Sequence, residues 1–157
     1  MGNINFLKNL KRKKKLELIE LSEEINKSYL EKSESNLISA KILLDSERLE
    51  ESVSLVYYSS YHLLLALLFK IGIKSENHSG SVILLNELFN LDNSFILFAK
   101  KERIDKQYYV DFHITKEEVK ELIIKAEEFN EDLLDFISKL VNDDINLYRS
   151  KFIKLIA

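Results

Sequence analysis

The chain has no proline and only three glycines in 157 residues. Proline lacks the N–H a helix or sheet needs, and glycine alone enters left-handed backbone freely, so these two residues do most of a chain's turning. A sequence this poor in both, and rich in Leu, Ile, Lys and Glu, has few places to reverse between strands and long stretches of good helix formers. The pattern predicts an all-α fold. With 46% hydrophobic and 31% charged residues it can bury a sizeable core, and its length suits one domain. The absence of cysteine excludes disulfides, thiol nucleophiles and cysteine-based zinc sites.

The apolar periodicity divides the chain. Residues 4–20 read as a short amphipathic helix carrying Ile4, Phe6, Leu7, Leu10, Leu16, Leu18 and Ile19. Ser22 with Glu23 and Glu24 can cap the next helix, which runs to residue 45 with a polar gap at Lys32 and Ser33. Ser46 to Leu49 reads as a tight turn. From Glu50 to Lys70 a helix becomes apolar nearly all round, which predicts the most buried element, ended by Gly72. Residues 73–79 read as a loop, followed by helices over Gly80–Phe89 and Phe95–Asp105. Thr115 with Glu118 is a capping-box pattern opening the most regular helix of the chain, from Val119 to Leu140. Asn142 and Asp143 mark a break before a last amphipathic segment. The expected architecture is an antiparallel four-helix up-and-down bundle over residues 22–141, with a basic helical arm (1–21) and a helical extension (142–157).

Charge is unevenly spread. Residues 1–15 hold six of the 23 basic side chains, Lys8 and Lys11 to Lys15 with Arg12 among them, and no acid. The remaining 17 bases face 26 acids, a balance of −9. Such an arm suits nucleic acid or is simply a solvated helix end. The longest uninterrupted apolar run, Leu63 to Phe69, falls short of the ~18 residues of a bilayer span, so no membrane role is expected. The N-terminus lacks the apolar stretch of a secretory signal, and a cytoplasmic location is expected.

Chemistry concentrates in Val56-Tyr57-Tyr58-Ser59-Ser60-Tyr61-His62, three tyrosines and one of only three histidines inside an apolar run. Buried hydroxyls and imidazoles need partners, so packing alone does not ask for them. Tyr58 and His62 lie one helical turn apart on one face and can present a phenol and an imidazole to a polar ligand. A core histidine bonded to a tyrosine or carbonyl is the alternative. A second cluster joins Lys100, Lys101, Arg103 and Lys106 to Gln107, Tyr108 and Tyr109, cations and aromatics suited to phosphate pairing and base stacking, or a basic helix end complementing its own dipole. His78, before a helix, can orient a ligand there or belong to a simple cap; His113 reads as structural or exposed. The residues three before His62, His78 and His113 are Ser59, Ser75 and Val110, so the Glu-x-x-His pairs of a di-iron bundle are missing. No phosphate-binding glycine loop or nucleophile elbow occurs either. No metal or cofactor is expected.

The order SYLEKSESNLISAKILLDSERLEESVSLVYYSSYHLLLALLFKIGI, then NHSG, then Arg103-x-x-x-x-Tyr108, then TKEEVKELIIKAEEF, resembles the small stand-alone HEPN-domain proteins of bacteria and archaea over about residues 28–140. The resemblance implies an all-α bundle, usually a homodimer, that binds RNA or nucleotides. Many members are metal-independent ribonucleases, often the toxin of a toxin–antitoxin pair with a small nucleotidyltransferase. Their signature is an arginine, then four to six intervening residues, then a histidine. Here His62 matches, but the arginine position is Leu55, and the tyrosine that a partner can modify, two residues after the histidine, is Leu64. The expectation is a non-catalytic or weakly active HEPN protein binding RNA or a nucleotide, with a nucleotidyltransferase partner. Its site would hold Tyr58, His62, His78, Lys100, Arg103, Gln107 and Tyr108. The competing readings are an endoribonuclease in which Arg103 replaces the lost arginine beside His62, and a purely structural or interaction module.

Overall fold

A computed structural model describes residues 1–108 and 113–157, with the backbone alone for residues 107 and 108. The described chain is seven helices and one small sheet: α1 (Gly2–Arg12), β1 (Leu16–Leu18), α2 (Glu23–Asp45), α3 (Leu49–Ile71), β2 (Ile73–Ser75), α4 (His78–Glu87), α5 (Ser94–Tyr108), α6 (Lys116–Ser138) and α7 (Asn142–Leu155). The caps follow the sequence. Ile25 N–H donates to Ser22 Oγ, Gly80 N–H to Asn77 Oδ1 and Glu118 N–H to Thr115 Oγ1. Gly72 closes α3 in the left-handed conformation, φ 82°, which any side chain would strain.

Helix α3 lies at the centre and packs on α2, α5 and α6, with further contacts to α4 and α7. It is long and apolar enough to cross a bilayer by length and composition, and other elements cover most of that surface. Its pairing with α2 has a regular register. Asn26 donates to the Ala66 carbonyl, Ser33 and Ser59 exchange hydroxyl-to-carbonyl bonds, and Ser52 donates to the Ala40 carbonyl, all at 2.7–2.8 Å. Residues 26, 33 and 40 thus meet 66, 59 and 52, an antiparallel seam of small and polar residues in steps of seven, the heptad spacing of intimately packed helices. Of the polar gap at Lys32 and Ser33, Ser33 is buried in this seam and Lys32 is exposed.

One departure from the all-helical expectation is local. Helix α1 stops at Arg12, and Lys14 takes a left-handed φ of 58°. Leu16–Leu18 then pairs antiparallel with Ile73–Ser75, Leu16 opposite Ser75 and Leu18 opposite Ile73. Consecutive lysines repel along a helix, and the pair Lys15–Glu76 at 3.2 Å holds the strand beside the loop that the sequence suggested for residues 73–79. Leu16 is fully buried, and the one core cluster takes in Leu7 and Leu10 of α1 and Ile145 and Phe152 of α7.

Candidate functional site

The site is built on one side of α3, where α2, α4 and α5 meet it. Tyr57 and Tyr61, one turn apart, are buried, while Tyr58 and His62 are half-buried beside them. Tyr57 has one described partner: its hydroxyl lies 2.8 Å from His78 Nδ1. Burial, then the neighbouring Tyr61, raises the Tyr57 pKa, so its proton stays on and points at Nδ1. Nδ1 is then the acceptor, and the His78 proton sits on Nε2. Burial, then Lys100 and Arg103, lower the His78 pKa and keep the ring neutral at pH 7. The ring stacks on Tyr61, centroids 4.0 Å apart. Burial pushes the Tyr61 phenol up to about 12, and its hydroxyl lies 3.1 Å from Ser81 Oγ.

His62 carries the opposite tautomer. Its Nδ1 lies 2.7 Å from Asn36 Oδ1, an acceptor, so Nδ1 holds the proton and Nε2 keeps its lone pair. Burial, then Lys32 and His78, push its pKa down to about 4. The imidazole is flanked by Tyr58 and Tyr29, ring centroids 5.8 Å away in each case, and Tyr29 in turn stacks on Phe69 at 5.2 Å.

From α5, the Arg103 guanidinium lies over the rings of Tyr57 and Tyr58, 5.2 and 5.4 Å from their centroids. Its Nε is buried with no hydrogen-bond partner among the described residues. One turn earlier, Lys100 Nζ donates to Ser79 Oγ at 2.8 Å, in the first turn of α4. Burial, then Arg103, hold the Lys100 ammonium below the usual lysine range. Neither cation has a carboxylate within ion-pair distance among the described residues.

The sequence therefore named five residues that the structure gathers: Tyr58, His62, His78, Lys100 and Arg103. The side chains of Gln107 and Tyr108 lie outside the described residues. His113 is exposed, and its carbonyl accepts from Lys106 at 2.7 Å. Within the protomer the Arg103 charge acts on Tyr57 and His78, whereas Lys32 is the cation that acts on His62. Leu55, at the signature arginine position, lines a recess of about 320 Å³ with Glu50, Glu51, Ser54 and Tyr58. Leu64 is fully buried. Sequence reasoning missed Asn36, Ser79 and Lys32 as members of the site, and it placed Tyr57 in the key segment without giving it a partner. Asn36 sits seven residues after Tyr29, on the stripe of α2 that faces His62, and that spacing was the available signal. Among the described residues no group of three carboxylates or histidines can hold a metal ion.

A helical bundle whose central helix carries a Tyr-Tyr-x-x-x-His stripe against an arginine from a neighbouring helix defines a class. A profile for the HEPN domain matches residues 26–136, and the chain belongs to the HEPN-domain family. It is 32% identical over 132 residues to a UPF0332 protein of Thermotoga maritima, covering 77% of this chain and 94% of that one. A UPF0332 protein of Pyrococcus horikoshii is 37% identical over 84 residues, 52% of this chain and 58% of the relative. A Methanocaldococcus jannaschii protein that bears the name "Putative toxin" is 30% identical over 117 residues, 70% of this chain and 86% of its own length.

Proposed function

We propose that this HEPN protein binds RNA or a nucleotide at the Tyr58–His62–His78–Lys100–Arg103 site as a homodimer, in the cytoplasm, and works with a nucleotidyltransferase-fold partner. The observation that carries the reading is the pair Lys100 and Arg103, two half-buried cations without an acidic partner among the described residues, set against tyrosine and histidine rings. A phosphate supplies the missing negative charge, and flat rings receive a base. The name borne by the Methanocaldococcus relative is consistent with a toxin-type role. Non-catalytic or weak activity follows from Leu55. The signature arginine would stabilise charge on a cleaved phosphodiester, and the recess here offers Glu50 and Glu51 instead.

The test is binding of a short single-stranded RNA and of mononucleotides across a salt series. Phosphate contact predicts an affinity that falls steeply with salt, and Arg103→Ala or Lys100→Ala each lowers the magnitude of the slope by about one or less. Binding unchanged in both variants removes the site and leaves the structural or interaction reading.

One observation favours a residual endoribonuclease as the second reading. His62 offers a neutral Nε2 lone pair and His78 an Nε2 proton, a base and an acid on adjoining elements. Cleavage of RNA in the presence of a chelator, lost in His62→Ala, supports it. Intact RNA after long incubation leaves the binding module.

A further inference from the structure

We infer that the trough between α5 and α6, on the side of α5 away from the Lys100–Arg103 site, docks a basic amphipathic helix of a partner protein. Helix α5 has two working stripes. Ile96, Ala99 and Arg103 (i, i+3, i+7) turn inward, Ile96 and Ala99 fully buried. Phe95 and Phe98 (i, i+3) turn to a cavity of about 620 Å³ whose lining includes Leu85, Phe129 and Leu133, and Glu102, one turn past Phe98, lines the smaller cavity beyond it. Phe98 is 45% exposed at its edge, so a large aromatic side chain stands without full cover.

The rim is acidic. Asp92, Glu128 and Asp132 stand against one cation, Lys125, which lies over the Phe98 ring at 5.6 Å. Asp92 is occupied, accepting from the Ser94 amide and hydroxyl. Glu128 and Asp132 are not: they sit one turn apart on α6, like charges that repel, with no ion pair among the described residues. The trough continues past Phe98 and Lys125 into a smaller cavity of about 90 Å³ that Glu102, Glu118, Glu121 and Leu122 line. From Glu118 to Leu133 the α6 edge runs about 22 Å, room for a helix of roughly four turns. Glu102 and Glu118 share Lys106, at 3.9 and 3.8 Å, so the charge left over sits at Glu128 and Asp132. An apolar floor under that acidic edge, between two helices, fits a third helix with large apolar side chains at i, i+3 or i+4, and i+7, flanked by lysine or arginine. The same rim repels RNA. The chain's own basic helix does not fill this role, because α1 already buries Leu7 and Leu10 against its own core.

The experiment uses the full chain and a fluorescein-labelled synthetic helix of about 16 residues, leucine and phenylalanine on one face and lysine on the other. Saturable binding by anisotropy is expected, weakened at least ten-fold in the double variant Glu128→Lys/Asp132→Lys and several-fold in Phe98→Ser. The control Glu31→Lys/Glu34→Lys, on the exposed surface of α2, should bind as the parent does. Equal loss in that control marks general charge attraction and overturns the proposal, as does equal binding of a peptide with glutamate in place of lysine. Displacement of the peptide by single-stranded RNA also overturns it. If the peptide fails to bind, but sedimentation shows self-association that Glu128→Lys/Asp132→Lys abolishes, the occupant is a second copy and the foreign helix is ruled out. This outcome is independent of RNA binding at the Lys100–Arg103 site.

Discussion

At the scale of single residues, His62 and Tyr57 report most directly on the site. The folded pKa of His62, about 4, lies below the ordinary value of 6.5, so the unfolded chain takes up a proton between those values that the folded chain refuses. Stability is therefore full above about pH 6.5 and falls as pH drops towards 4. His62→Gln should flatten that part of a urea-midpoint-versus-pH curve, and the ring should titrate in NMR with a midpoint near 4. A midpoint at the ordinary value would mean that the Asn36 bond and the burial around the ring do not persist in solution. Tyr57→Phe keeps the ring and deletes the proton that His78 Nδ1 accepts. A lost hydrogen bond at a half-buried acceptor costs about 1 kcal/mol, readable by denaturant unfolding. The same change should free His78 to switch tautomer, which its ring nitrogen shifts would reveal.

At the scale of elements, the α2–α3 seam carries the argument. Asn130 of α6 joins it, donating to Ser59 Oγ at 3.0 Å and accepting from Ser60 Oγ at 2.8 Å. Asn130→Leu leaves both hydroxyls without that partner and should cost about 2–3 kcal/mol in urea unfolding. Adding Ser60→Ala to that variant removes the orphaned hydroxyl, while Ser59 still donates to the Ser33 carbonyl, and should recover part of the loss. A single variant that unfolds at the parent's midpoint would show that these bonds contribute nothing net. Much of this level was legible in advance. The caps at Ser22 and Thr115, the stop at Gly72 and the central place of α3 all follow from local rules, because each depends on a few adjacent residues. The seam was not read, since Asn26, Ser33 and Ala40 are polar or small and escape a search for apolar stripes. The short strand Leu16–Leu18 also escaped. Three residues cannot tell period 2 from period 3.6, and its partner lies more than fifty residues away. Five site residues were legible because cations and rings are rare in a core. Tyr58 does flank His62 as the spacing suggests, but the hydrogen bond of Tyr57 to His78 depended on how α4 returns to α3.

At the scale of the whole molecule, Arg149 ties the two ends of the chain to its centre. From α7 its Nη1 donates to the Ile71 carbonyl at 2.7 Å and to the Ile19 carbonyl at 3.1 Å. One cation thus meets the negative end of the α3 dipole and the strand that leads out of the basic arm. Gly72 makes room for it. A Cβ there would fall on the Arg149 guanidinium, and Gly72 also has a left-handed φ that disfavours any side chain. Arg149→Met should cost about 2–3 kcal/mol, the worth of charged hydrogen bonds to carbonyls that end up half-buried without a partner. Gly72→Ala should cost at least about 1 kcal/mol from backbone conformation, and more because it displaces the guanidinium. The two changes act on one contact, so the double variant should lose less than the sum of the single ones, with a coupling of about 1 kcal/mol or more in a double-mutant cycle. Additive losses would mean that the glycine serves its turn alone and that Arg149 does not depend on the space it leaves.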